Sequence, residues 1–592
     1  MKKNGAFLTV FALEQIGVRK TFGVPGLHNA EIYAHLSNSK FLEPVLVTQE
    51  LSAGFMADAV SRTTDSIGTM VIVPGGGMTH ALSAIAQAFI DGIPLMIISG
   101  GIQRESGKSF HMNRLNLENI LEGIVKKYYC ISNQNQIPKT IYEAFDIATS
   151  GEPGPVIIEI PIEMQNAEID TDSMIVYKKK TLDNPFQKKE TQGSGMQLFS
   201  AIETPVSKLE KAVSLLANAK FPGIYLGWGA VDAFEEVKQI AELLVAPVST
   251  TLQGVSSFPY NHPLHTGIGF GEFSSPAGQN AFKHCDCLLA VGLKFSELAT
   301  SNYRMNVPEN LIHIDINPNV FHKNYLAKVA IEGNAKIVLE ELFKQLKNKS
   351  IQSKNKFQEL AAAIKNNKEI YRKSWLTKSS DEMVTPGFFF NALSHHLTED
   401  AIMVTDDGNH SMMTLELFPV FKSRHFICPT DFNCMGYGIP AAIAAKSVNR
   451  QNTVVAVIGH NALLVTGLEL ITAQINNLGI IVFIFKENDP YQIPQIQTMT
   501  SLKQKESSSG IINIKGLADA VKIEFFLMKN DVDISGVISK ALEFAKNGKS
   551  VLVEVNIDYS RKPRLAESFI RPKSSRFRIT EKLKMFFKRG EE

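Results

Sequence analysis

The sequence is poor in cysteine, in net charge and in long apolar runs. Its 592 residues include only 5 cysteines, at Cys130, Cys285, Cys287, Cys428 and Cys434. A small, odd number of cysteines excludes a disulfide-stabilised scaffold and favours a reducing compartment, so we expect a cytoplasmic protein. No apolar run is long enough to cross a bilayer, and the formal net charge is only +2. We therefore expect neither a membrane span nor a nucleic-acid partner.

The composition that is present is typical of a soluble, multidomain protein. Hydrophobic residues make up 44% of the chain and charged residues 20%. A chain of this length is too long for one core and predicts several domains. Near the start, Phe7, Val10, Leu13 and Ile16 recur at helical spacing and Glu14 interrupts the apolar run. This pattern predicts an amphipathic helix rather than a signal peptide.

Strand-like apolar runs alternate with helical segments along most of the chain. Examples are GTMVIV and PLMIIS early in the sequence, CDCLLAVG in the middle, and VVAVIG and SVLVEVNI later. Such alternation predicts an α/β fold with three successive doubly wound parallel-sheet domains. The predicted boundaries are a first domain at 1–175, a linker at 176–198, a central domain at 199–346, a helical linker at 347–383, a third domain at 384–560 and a basic tail at 561–592.

Ligands of doubly wound sheets bind at the carboxyl ends of the strands, so the loops after strands are informative. In the first domain these loops lie in the segments VTQELSAGFMADAVSR at 47–62 and VIVPGGGMTHALSAIAQAFIDGIPLMIISG at 71–100. The third domain has VTDDGNHSM at 404–412, FNCMGYGIPAAIAAK at 432–446 and VVAVIGHNA at 454–462. Taken singly, Glu50 would be an ordinary acid in the first turn of a helix, and the glycine turn would be a nucleotide site or simple close packing.

Together and in this order, the segments resemble thiamine-diphosphate-dependent enzymes of the acetolactate synthase type, including related 2-oxoacid decarboxylases and carboligases. YLGWGA, NHPLHTGIGFG and HIDINP resemble the central domain of that family. The resemblance implies a pyrimidine-binding, a central and a diphosphate-binding domain. It also implies a transferase or lyase that acts on a small 2-oxoacid such as pyruvate. Because the family's active sites lie between two subunits, a homodimer or homotetramer is expected.

The resemblance also assigns site residues. Glu50 matches the carboxyl group that exchanges a proton with the aminopyrimidine ring, and His111, in KSFHM, takes the place of a glutamine that faces substrate. Met435 matches the apolar wedge beneath the coenzyme, and His80 stands where relatives commonly have asparagine. The full set of expected cofactor contacts is Gly76, Gly77, His80, Asn409, His410, Met435, Gly459, His460 and Asn461.

The metal motif departs from the family pattern. Relatives usually have Gly-Asp-Gly or Gly-Asp-Ala after the strand, followed later by an asparagine, whereas this chain has His460 and Glu487 at those two positions. Three interpretations are open. In the first, Glu487, Asn488 or Asp489 holds Mg²⁺ and His460 orients the diphosphate. In the second, His460 recruits a softer divalent ion such as Mn²⁺ or Zn²⁺. In the third, the site binds no metal. Glu487, Asp489 and His460 are the predicted ligands.

Two further expectations concern flavin and activity. GLKFSELA at 292–299 lacks the arginine and both acids that flavin-containing relatives usually have there, so the resemblance gives weak support for FAD. The expected function is a thiamine-diphosphate-dependent carboligase or decarboxylase. The alternative is a non-catalytic relative that binds a partner or nucleotide through the same fold.

Overall fold

The protein contains three parallel sheets flanked by helices. The structure is a computed structural model that describes residues 2–104, 107–170, 175–178, 186, 205–486 and 512–570. Within these ranges no helix is both long enough and apolar enough to cross a membrane.

In the described part of the first region, eight strands combine with seven helices. Its strands are β1 (Lys2–Asn4), β2 (Lys20–Gly23), β3 (Glu43–Leu46), β4 (Gly68–Ile72), β5 (Leu95–Gly101), β6 (Lys127–Cys130), β7 (Pro155–Pro161) and β8 (Glu168–Asp170). Its helices are α1 (Gly5–Gln15), α2 (Ala30–Asn38), α3 (Glu50–Thr63), α4 (Gly76–Asp91), α5 (Leu117–Leu121), α6 (Ile137–Thr149) and α7 (Ile162–Asn166). Six strands form a parallel sheet in the order β3-β2-β4-β5-β7-β6, and β1 pairs antiparallel with β8.

The second region is a smaller unit of the same kind. Its elements are α8 (Pro205–Asn218), β9 (Pro222–Leu226), α9 (Phe234–Leu244), β10 (Val248–Thr250), β11 (His265–Ile268), α10 (Pro276–Ala281), β12 (Cys287–Val291), β13 (Asn310–Asp315), β14 (Val329–Glu332) and α11 (Ala335–Leu346). The parallel sheet has the order β11-β10-β9-β12-β13-β14. A long helix, α12 (Phe357–Ser374), leads to the third region.

The third region repeats the architecture. Its elements begin with α13 (Pro386–His396), β15 (Ile402–Thr405), α14 (Asn409–Leu417), β16 (Phe426–Ile427), α15 (Gly438–Val448), β17 (Val454–Gly459), α16 (His460–Thr466), α17 (Leu470–Ile475) and β18 (Ile480–Phe485). They continue with α18 (Ile514–Val521), β19 (Glu524–Met528), α19 (Ile534–Lys546), β20 (Val551–Val555) and α20 (Arg564–Ile570). The sheet order is β16-β15-β17-β18-β20-β19, with all pairs parallel.

These three six-stranded sheets confirm the predicted fold class. Every residue of β17 and of β18 is buried, as expected for parallel strands covered by helices on both faces. The same burial explains why these strands appear in the sequence as continuous apolar runs.

The first and third regions share one hydrophobic core. It joins α3 and α4 to α15, β17 and β18, and it includes the fully buried ring of Tyr437. The ring of Phe55 on α3 packs edge-on against that of Tyr437, with 5.5 Å between their centroids. The packing of α3 on α15 therefore fixes the first region against the third.

Candidate active site

Glu50 begins α3, directly after the loop that follows β3. The residue is only 8% exposed, and its Oε2 lies 3.2 Å from His80 Nδ1. A Cβ atom at position 77 would lie 2.9 Å from Glu50 Oε1, so glycine at this position leaves the carboxyl group its space. The first turn of α4 thus encloses the carboxyl group.

The turn before α4 requires glycine for a conformational reason. Gly75 has φ of 62°, and a side chain there would also meet Asn113 at 2.7 Å. Gly76 and Gly77 are the first two residues of α4, where backbone N–H groups have no partner within the helix. Gly76 faces open space, so a ligand can approach this turn closely.

The loop that carries Met435 is held by an aspartate that the sequence analysis missed. Asp406 is 1% exposed, and its carboxylate accepts hydrogen bonds from the N–H groups of Gly436 at 2.9 Å and Gly438 at 2.6 Å. Burial raises the pKa of Asp406 to about 6, and these N–H bonds oppose that shift. Met435 itself is 40% exposed, so its side chain stands at a surface open to a ligand. The available signal was the position of Asp406 directly after β15.

His410 lies at the junction of β15, α14 and β17. It is 2% exposed, and burial lowers its pKa to about 3, so the imidazole is neutral. The ring packs against Gly459, where a Cβ would lie 3.1 Å from Cε1. Within the described ranges its Nε2 has no hydrogen-bond partner. A buried polar atom without a partner is costly, so this nitrogen is suited to a ligand atom.

The neighbouring predicted contacts lie at helix starts. Asn409 is the first residue of α14 and His460 the first residue of α16, while Asn461 follows it and is exposed. His460 is half-buried, and burial lowers its pKa. After burial, the proximity of His460 is the second cause that lowers the pKa of His410. These residues form the second cluster of the site.

The structure of one chain places the predicted residues in two clusters. Glu50, Gly77 and His80 form the first, and the residues around His410 and Gly459 form the second. The segments that flank the two clusters meet at Val465 on α16. Gln49 Nε2 donates to the Val465 carbonyl at 3.3 Å, and a Cβ at Gly436 would lie 2.7 Å from Val465 Cγ1. Val465 thus lies against both Gln49, the residue before Glu50, and Gly436, the residue after Met435.

His111 lies on the exposed loop that follows β5. Its carbonyl accepts a hydrogen bond from the N–H of Arg114 at 3.2 Å, and the adjacent Phe110 is 37% exposed. Through Asn113 the same loop packs against the glycine turn at Gly75. The loop therefore borders the first cluster, with the imidazole of His111 directed to the surface.

Of the three predicted metal ligands, the structure describes one. Glu487 and Asp489 lie outside the described residues, and His460 lies inside them. In the parts of the chain that are described, no group of three or more His, Cys, Asp or Glu side chains could hold a metal ion. The ligand set proposed from the sequence stays a prediction.

A buried ionic network supports the helix that begins with Glu50. Arg62 Nε lies 2.6 Å from Asp58 Oδ1, and Arg62 Nη2 lies 2.6 Å from Asp91 Oδ2. Tyr437 donates its hydroxyl to Asp58 at 2.8 Å, and Asp431 donates its N–H to Asp91 at 3.1 Å. The network joins α3 and α4 to residues on both sides of Met435. The sequence analysis missed it, although Asp58 and Arg62 have the spacing of a helical ion pair.

The observed groups fit thiamine diphosphate. The first cluster offers a mostly buried carboxyl group beside a glycine-lined helix start, and the second offers a neutral imidazole with a nitrogen in need of a partner. Met435 is exposed on the loop that Asp406 holds in place.

Comparison with protein families gives an independent result. The chain matches the thiamine pyrophosphate enzyme N-terminal TPP binding domain over residues 3–120, the central domain over 209–342 and the C-terminal TPP binding domain over 406–555. The three matches follow the order of the three sheets.

Similarity to individual proteins extends over most of the chain. A probable acetolactate synthase large subunit of Methanocaldococcus jannaschii is 30% identical, over 94% of this chain and 92% of its own length. The acetolactate synthase isozyme 3 large subunit of Escherichia coli K12 is 27% identical, over 94% of this chain and 95% of its own. The acetolactate synthase large subunit of Corynebacterium glutamicum is 29% identical, over 84% of this chain and 77% of its own length. With its sheets, its glycine turn and these matches in agreement, the chain belongs to the thiamine pyrophosphate enzymes, as an acetolactate synthase-like member.

Proposed function

We propose that the protein is a thiamine-diphosphate-dependent carboligase or decarboxylase that acts on pyruvate or a similar 2-oxoacid. The observation that carries this proposal is the Glu50 carboxyl group, mostly buried at the start of α3 and enclosed by the glycine turn. The names of the relatives support the substrate class. No finding favours the non-catalytic alternative.

When bound, thiamine diphosphate would supply a carbon nucleophile and an electron sink for decarboxylation of a 2-oxoacid. Glu50 would contact the aminopyrimidine ring and hold or release a proton at one carboxyl oxygen. His80 Nδ1, 3.2 Å from Glu50 Oε2, orients that carboxyl group. The exposed side chain of Met435 would support the coenzyme from below.

The second cluster would bind the diphosphate. His410 Nε2, neutral and without a partner among the described residues, would donate to a phosphate oxygen when the proton is on that nitrogen. The starts of α14 and α16 bring Asn409, His460 and Asn461 to the same edge of the sheet. Gly459 leaves the room that His410 needs.

A divalent ion would complete the diphosphate site. We propose Mg²⁺ or another divalent ion, with Glu487, Asp489 and His460 as its candidate ligands. His460 begins α16, next to Gly459, where the chain leaves the sheet. Oxygen ligands favour Mg²⁺, whereas an imidazole favours a softer ion, so the ion that supports activity identifies the ligand set.

The two clusters would be completed by a second copy of the chain. One group of exposed apolar side chains lies on α16, α17 and the turn between them: Leu464, Val465, Leu468, Ile471 and Ile475 are 36–68% exposed. An apolar patch of this kind marks an association surface. A homodimer or homotetramer would cover it and bring the first cluster of one copy to the second cluster of another.

The test is turnover of pyruvate by the purified chain with thiamine diphosphate and a panel of divalent ions. We expect release of carbon dioxide or formation of acetolactate, and loss of about 10²–10⁴ in turnover for Glu50→Gln. Glu31→Gln is a matched control, because Glu31 is an exposed first-turn glutamate of α2. The absence of turnover in every mixture, or equal effects of the two substitutions, would contradict the proposal.

A further inference from the structure

A cavity lies between the second sheet, α12 and the third region. It provides about 80 Å³ for water-sized molecules, and none of the residues of the two clusters lines it. A space of this size exceeds what a single water requires. Its walls come from β11, α10, α12, the end of α14 with the segment after it, and the start of α20.

One wall of the cavity carries the amino group of Lys368, which pairs with no carboxylate of the described residues. Lys368 Nζ donates to the carbonyls of Tyr260 at 2.9 Å and His265 at 3.3 Å, lies 3.1 Å from His265 Nδ1 and sits 3.7 Å from the centre of the Tyr260 ring. All of these neighbouring groups are neutral, because burial holds the pKa of His265 well below its usual value. Burial also lowers the pKa of Lys368 to about 7. Among the described residues, no carboxylate pairs with this lysine.

Among the described residues, one carboxyl group lines the cavity, and it is already engaged. Glu416 accepts the Tyr371 hydroxyl and the N–H groups of Arg564 at 3.2 Å and Leu565 at 3.1 Å. The other cation of the lining, Arg372, donates to neutral oxygens of the neighbouring helix α13. When Lys368 is protonated, the cavity therefore has an excess of positive charge, and a buried cation without an anion is unfavourable, which is why burial lowers the pKa of this lysine.

The remaining lining is largely apolar. Val255, Ile268, Leu415, Phe418 and Leu565 contribute to it. A carboxylate would neutralise the ammonium group, and a short hydrocarbon chain would replace water against these side chains.

We propose that this cavity is a second, non-catalytic site that binds a small carboxylic acid with a short apolar chain, its carboxylate paired with Lys368. The bound acid would touch the second sheet, α12 and the third region at once. The site would exist whether or not the Glu50 cluster is catalytic.

The test uses 3-methylbutanoate as the probe and the full chain, with binding measured by calorimetry and ligand-observed NMR. We expect saturable binding, and binding at least tenfold weaker for 3-methylbutanamide, which has the same shape without the charge. Equal binding of acid and amide, or no saturation below about 10 mM acid, would overturn the proposal.

Variants assign the binding to the cavity. Lys368→Met should weaken the acid at least tenfold, whereas Lys365→Met, an exposed lysine one turn earlier on α12, should not. Ala277→Leu, which fills the cavity and retains the ammonium group, should also weaken binding, so the outcome does not depend on the folding of one variant. Glu50→Gln should bind the acid normally. Undiminished binding by both cavity variants, or its loss in Glu50→Gln alone, would place the probe in the active site and refute the proposal.

Discussion

Removal of Arg62 should destabilise the junction of the domains more than any surface substitution. Its guanidinium group is 1% exposed and pairs with two carboxyl groups, Asp58 and Asp91, that are 0% exposed. In Arg62→Met both acids would stay in a dry interior without their cation. Breaking a buried pair by removing one partner costs about 3–5 kcal/mol. The expected effect is a large loss of free energy of unfolding.

The same network predicts an order among variants. Tyr437→Phe removes one hydrogen bond to Asp58, which should cost about 1–3 kcal/mol, less than Arg62→Met. The double variant of Arg62→Met with Asp58→Asn should lose less than the sum of the two single losses, since it removes a cation and one of its anions together. Lys365→Met, on an exposed ion pair of α12, is the control and should leave stability unchanged.

Tryptophan fluorescence reports this junction directly. The chain has 2 tryptophans, Trp228 and Trp375, and the Arg62 guanidinium lies 5.5 Å from the centre of the Trp228 ring. In a Trp375→Phe background the signal comes from Trp228 alone. We expect Arg62→Met to lower the urea midpoint by on the order of 1 M. A midpoint equal to that of the Lys365→Met control would refute the reasoning.

Three further predictions concern the site. Asp406→Asn removes a charged acceptor of two backbone N–H groups, so calorimetry should show thiamine diphosphate binding weakened by about tenfold or more, and equal affinity would contradict the assigned role. Gly77→Ala places a Cβ 2.9 Å from Glu50 Oε1 and should lower kcat at least about tenfold. Gly536→Ala, with open space around its Cβ, is the control. Equal kcat values of the two variants would count against the enclosure of the Glu50 carboxyl group. His460→Asp should raise the ratio of activity with Mg²⁺ to activity with Mn²⁺ because an oxygen replaces a nitrogen, and an unchanged ratio would remove His460 from the ligand set.

The sequence predicted the three sheets because parallel strands are buried on both faces and therefore appear as uninterrupted apolar runs. It did not predict the packing of α3 on α15, since that contact joins helices almost 400 positions apart in the numbering. The neighbour order of the strands in each sheet is a long-range property of the same kind.

The site was predicted from motifs, and its supporting residues were not. Local patterns were available for both residues, namely the i,i+4 spacing of Asp58 and Arg62 and the position of Asp406 after a strand, but they do not reveal the contacts with distant segments through which Asp406 and Arg62 act. Lys368 is another example: in the sequence it is one of three lysines on the polar helix α12, and only the fold places it in a cavity, where no carboxylate of the described residues pairs with it. The role of Glu487 and Asp489 as metal ligands stays a prediction.

The helix α3 carries Glu50 at its first turn and Arg62 at its last. Twelve residues of α-helix span about 18 Å, and such a segment transmits displacement as a stiff rod. A change at the far end, where Arg62 meets the residues beside Met435, would therefore shift the acid at the near end without any contact with substrate. Variation that tunes turnover in relatives of this chain is accordingly expected at the Arg62 end as well as around the coenzyme.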